Sequence, residues 1–130
     1  MDDLVVFLRA RLDEEDRLAA ACVTADGSWQ ARDGDLVTDD GTRFSLGEAL
    51  AGHVARHDPA QTIRGVAARR SLLVLRESIQ LRMDQAAAGD DGAAYSLARA
   101  ELRVVHFALR LDAATYSAHP DYRRGWAPGR

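Results

Sequence analysis

The sequence predicts a mainly helical α+β fold, an antiparallel bundle of three long helices plus one short helix with a small two- to three-stranded antiparallel β-meander. Three observations carry this expectation. Long stretches near both ends repeat apolar residues at three- and four-residue steps, the signature of amphipathic helices. Between them Gly27, Gly34 and Gly41 break the chain into short pieces rich in aromatic and β-branched residues. A length of 130 residues, with 47% hydrophobic and 28% charged side chains, suits one folded domain and excludes a disordered one.

The first helix is expected from Asp2 to about Cys22. Val5, Leu8, Leu12, Ala19 and Cys22 step by threes, fours and one seven, with Leu4 and Leu18 widening the stripe and Glu15 interrupting it. Asp2 and Asp3 sit in its first turn, where the helix dipole favours negative charge. The meander follows at about 28–46. Its pieces Ser28–Ala31, Asp35–Thr38 and Thr42–Ser45 are joined by Asp33-Gly34 and Asp40-Gly41, both hairpin signals. So small a sheet is marginal alone, so Trp29, Leu36, Val37 and Phe44 are expected to pack it against helices.

Ser45-Leu46-Gly47-Glu48 has the spacing of a capping box, and a short helix is expected from Glu48 to about His57 with Leu50 and Val54 on one face. Proline sterics at Pro59 push Asp58 out of the helical region, the backbone an N-cap requires, so Asp58 caps a new helix that opens with Pro59. That helix runs to about Ala88, apolar over a wide arc between Leu72 and Met83, and Gly89 is expected as its C-cap. The last helix, Ala93 to about Ala114, carries Ala98, Leu102, Val105, Leu109 and Asp112 at alternating four- and three-residue steps, near the coiled-coil period. Residues 1–114 are thus read as a single helical domain. Residues 115–130 are read as an irregular C-terminal tail docked on the bundle through its aromatic residues.

Charge excludes some functions. The net charge is −3, with no basic excess of the kind that drives nucleic-acid binding. Its distribution is uneven: residues 1–58 hold 13 acids against 6 arginines, net −7, and residues 59–130 hold 7 acids against 11 arginines, net +4. All 17 basic residues are arginine, read as coding bias on exposed faces. The pairs Arg69-Arg70 and Arg123-Arg124, with Arg64, Arg76 and Arg82, are read as solvated or acid-paired, since the helical ones spread around the helix. The single Cys22 excludes an internal disulfide, and the acidic start with its short apolar run lacks the features of a signal peptide. A cytoplasmic location is expected, with no membrane association.

Two constellations are candidates for a partner or ligand surface. His53 and His57 lie four apart on a helix, the spacing by which helical zinc sites supply two ligands, and His119 or Asp121 is a possible third. A packing role for His53 and a helix-dipole role for His57, beside Asp58 at the corner, is the preferred reading. The second constellation is His119, Asp121, Tyr122 and Trp126, where a docked tail is preferred. No nucleophile–base pair, glycine-rich phosphate loop or zinc-finger spacing is present, and no cofactor or metal is expected.

Leu8 to Glu14 reads Leu-Arg-Ala-Arg-Leu-Asp-Glu, His53 to Ala60 reads His-Val-Ala-Arg-His-Asp-Pro-Ala, and His119 to Arg123 reads His-Pro-Asp-Tyr-Arg, with Trp29 and Trp126 beside them. In these motifs, and in their order over nearly the whole chain, the protein resembles a family of short uncharacterised actinobacterial and actinophage proteins, a domain of unknown function. It departs from that pattern before Trp29, where members often carry Pro-Gly-Pro and this chain has Ala25–Ser28, and at Thr115–Ala118, where they often read Pro-Tyr-Ala-Asp. The resemblance implies no activity. The expectation is a non-catalytic interaction or regulatory protein, self-associating through helix faces as a homodimer or binding a protein partner. The alternative is a metal-binding protein or metal-dependent hydrolase using His53, His57 and His119.

Overall fold

The structure, a computed structural model, describes residues 2–129. Its elements are α1 (Asp3–Ala21), β1 (Gln30–Arg32), β2 (Asp35–Val37), β3 (Arg43–Ser45), α2 (Glu48–Arg56), α3 (Pro59–Ala88), α4 (Gly92–Ala114) and a 3₁₀ turn at Arg124–Trp126. This is the mainly helical α+β fold that the sequence predicts. The chain divides into two compact units, Arg11–Ala68 and Met1–Ala10 with Arg69–Arg130.

In the unit Arg11–Ala68 the three strands form an antiparallel sheet in sequential order, with Ala31 opposite Leu36 and Leu36 opposite Phe44. The first hairpin closes through Asp33 and Gly34, both at positive φ (52° and 81°), the backbone of a type I′ turn that matches strand twist. Helix α2 packs against β1 and β2, burying Leu36 and Ala51. Edge strand β3 is left uncovered, so Phe44 is 49% exposed and does not anchor the sheet as expected. Ala51 is the buried residue of α2, and Leu50 turns outward. The capping box does not form either. Ser45 is held in β3 opposite Asp35, and Gly47, at φ 85°, turns the chain into α2 with no side-chain cap.

Two carboxylates organise the connections of this unit. Asp58, buried at the start of α3, accepts a hydrogen bond at Oδ1 from the Gln61 N–H (2.7 Å) and at Oδ2 from the Trp29 N–H (3.0 Å). One side chain therefore caps α3 and ties down the segment entering β1. Asp39 accepts from the Thr24 hydroxyl and from the N–H groups of Thr24, Ala25 and Gly27, joining the segment after α1 to the β2–β3 turn.

In the other unit α3 and α4 run antiparallel. The pairs Arg69–Asp112 (2.8 Å), Arg76–His106 (3.4 Å) and Arg82–Glu101 (2.6 Å) climb one helix as they descend the other. Burial opposes the charge on Arg69, but hydrogen bonds to Asp112 and Tyr116 outweigh it and raise its pKa above the usual guanidinium value. Asp2 caps α1 through the Leu4 N–H (2.9 Å) and lies 3.3 Å from His106 Nε2. Leu4, Val5 and Leu8 are buried, as are Ala98, Val105, Leu109 and Ala113 on α4. Further along α1 the stripe continues through the buried Leu12 and Ala19, but Leu18 is 60% exposed and Cys22 lies beyond the helix end and is exposed, so neither belongs to it.

The α3–α4 turn corrects one more expectation. The left-handed residue is Asp90 (φ 54°), not Gly89, and the Asp91 N–H donates to the Ala86 carbonyl (2.9 Å) in a Schellman closure. Asp91 then caps α4 through the Ala94 N–H.

Three outcomes follow from these contacts. Asp58→Ala removes a cap and strands the Trp29 N–H, and thermal or denaturant unfolding should show a loss of about 2 kcal/mol. Asp90→Gly relieves a left-handed aspartate, and the same measurement should show a gain of about 0.5–1 kcal/mol. Asp39 is held well below its ordinary value of 3.8, first by the Thr24 hydroxyl and then by the backbone N–H groups. Its contribution is complete above that ordinary value and is lost as pH falls toward the folded value. Asp39→Asn should therefore lose less stability than the parent protein on acidification in a pH series of melting curves.

Candidate partner-binding surfaces of α4

The residues singled out from sequence fall in both units. In Arg11–Ala68, the exposed rings of His53 on α2 and His57 at its C-cap lie side by side with centroids 4.8 Å apart and planes tilted by 52°, and Asp58 is committed to its two N–H donors. In the other unit, Phe7 of α1 gathers the tail. Its ring lies 5.6 Å from His119, 6.2 Å from Tyr122 and 5.0 Å from Trp126, with Tyr116 at 6.0 Å. His119 Nδ1 accepts from the Asp121 N–H (3.0 Å), and Asp121 itself is exposed. Among the described residues no three His, Cys, Asp or Glu side chains are grouped to hold a metal ion.

The surface with most unspent interaction capacity is the solvent side of α4. Ala98, Val105, Leu109 and Ala113 consume one face. About 90° round the helix, at 100° per residue, Tyr95, Arg99, Arg103, His106 and Arg110 form a second line. With Met83 of α3 and the half-buried Leu102, they border a groove of about 640 Å³. That volume lies within the range of ligand sites. No hydrogen bond or ion pair among the described residues neutralises Arg99 or Arg103, and Arg110 lies over the Phe107 ring at 5.8 Å. At the inner wall His106 meets Arg76 and Asp2.

A third line lies nearly opposite the buried one. Leu97 (60% exposed), Ala100, Val104 (70%), Phe107 (44%) and Leu111 (48%) alternate three- and four-residue steps, the spacing of a coiled-coil seam, entirely on the outside. In the same unit Val74, Leu75 and Leu81 of α3 are exposed as well.

Sequence reasoning missed both surfaces. It weighed arginines adjacent in sequence or carried by α3, whereas those of the groove are separated by four and seven residues. The signal was present as Tyr95, Arg99, Arg103, His106 and Arg110 at helical steps. The outer seam was hidden because its residues sit one or two positions before those of the predicted seam and repeat with the same period, and only burial tells the two apart.

Among the described residues no helix is long and apolar enough to cross a membrane. Comparison with curated proteins and with solved structures finds no match. A family model, described as a family of unknown function (DUF6221), matches residues 1–128, and the chain belongs to that family.

Proposed function

We propose that this is a non-catalytic interaction protein that self-associates through the outer seam of α4. The observation that carries the reading is the exposed heptad spacing of Leu97, Ala100, Val104, Phe107 and Leu111. Scattered exposed leucines are ordinary, but an apolar row along one helix, about 21 Å long from Leu97 to Leu111, is the pattern of a surface that buries itself against another helix. Two heptads alone make a weak coiled coil, and Val74, Leu75 and Leu81 offer further apolar area in the same unit.

Charge sets the geometry. Arg103 and Arg110 border the seam on one side and Glu101 on the other. Antiparallel pairing would set the arginines of one copy against those of the next, so parallel or crossed pairing is favoured.

Sedimentation or light scattering over a concentration series tests this reading. The parent protein should reach a dimer with a dissociation constant on the order of micromolar, and Val104→Glu should raise that constant by at least about tenfold while helicity is unchanged. Val104 is 70% exposed, so its replacement leaves the fold intact. A parent protein that stays monomeric at every concentration overturns the proposal.

A further inference from the structure

We propose that the groove lined by Met83, Tyr95, Arg99, Leu102, Arg103 and His106 receives an acidic, amphipathic helical segment of a protein partner. This inference does not rest on self-association, whose apolar seam is a different line of α4, although Arg103 and Arg110 border both.

Charge complementarity is the first argument. Arg99 and Arg103 stand four residues apart on one helix face with nothing in the described residues to neutralise them, and Arg110 extends the line. Like charges at this spacing repel, and a facing row of carboxylates removes that repulsion and adds bidentate pairing.

Spacing is the second. Arg99 to Arg103 is a rise of about 6 Å, and Arg103 to Arg110 about 10 Å. A second helix laid along the groove has the same rise per residue, so acids at i, i+4 and i+11 meet the three guanidinium groups in turn.

The floor is the third. Leu102 and Met83 lie half-buried beneath the arginines, with Tyr95 at one end. An apolar row beside the acids fills this floor, and methionine adapts to varied apolar shapes. A long polyanion such as single-stranded nucleic acid fits less well. It has no use for the apolar floor beneath a single line of cations, and the chain's net charge of −3 opposes it at long range.

Fluorescence anisotropy tests the proposal with the full chain and a labelled helical peptide carrying glutamate at i, i+4 and i+11 and leucine at i+3 and i+7. The expected result is saturable binding that weakens with salt and falls at least about tenfold in the Arg99→Glu/Arg103→Glu double variant. Both arginines are exposed and have no hydrogen-bond or ion-pair partner among the described residues, so the variant keeps its fold, which circular dichroism checks. A Val104→Glu protein should bind the peptide as the parent does, which separates failure of this inference from failure of self-association. No binding, equal binding of a lysine-for-glutamate peptide, an unaffected double variant, or tighter binding of a single-stranded oligonucleotide of equal charge each overturns it.

Discussion

The packing of α4 against its own unit is the constraint on which both candidate surfaces depend. Ala98, Val105, Leu109 and Ala113 occupy one arc of the helix, and small residues at both ends of that arc allow close approach of its neighbours. A helix offers only one circumference. Once that arc is spent on the core, Arg99 and Arg103 are directed to one flank and Val104 and Leu111 to the far side. The ladder from Arg69–Asp112 to Arg82–Glu101 fixes the antiparallel register of α3 and α4, and with it the position of Met83 beside Leu102.

Much of this architecture was legible in the sequence because it rests on local chemistry. Proline after Asp58 leaves little alternative to a helix start, and α3 runs from Pro59 to Ala88 as periodicity and composition require. Asp33-Gly34 names its own turn. The misses have a common cause, since each depended on which of two local solutions tertiary structure selects. Ser45 has the makings of a cap but is engaged in β3 opposite Asp35. Gly89 is the natural left-handed residue, yet the closing bonds to Ala86 and Ala87 fall one position later and place Asp90 there. Leu50 is exposed because Ala51 takes the face of α2 that meets the sheet, and Phe44 because α2 covers β1 and β2 but not β3.

The candidate surfaces were less legible, for a related reason. Histidines, tryptophans and prolines attract attention in a sequence, and here His53 and His57 rest against each other while Trp126 and Tyr122 pack around Phe7. Arginines at helical spacing are inconspicuous in a chain where every cation is arginine. What distinguishes Arg99 and Arg103 from Arg69, Arg76, Arg82 and Arg123 is the absence of a carboxylate partner among the described residues. That difference exists only in three dimensions.

The chemistry of that cationic line also decides how its attraction can be controlled. Guanidinium groups keep their charge at any pH compatible with a folded protein, and the acyl transfers that silence lysine amines do not act on them. With no lysine in the chain, lysine acylation cannot weaken the line. On the proposed contact, the acids of the partner segment and the salinity of the medium are the adjustable sides.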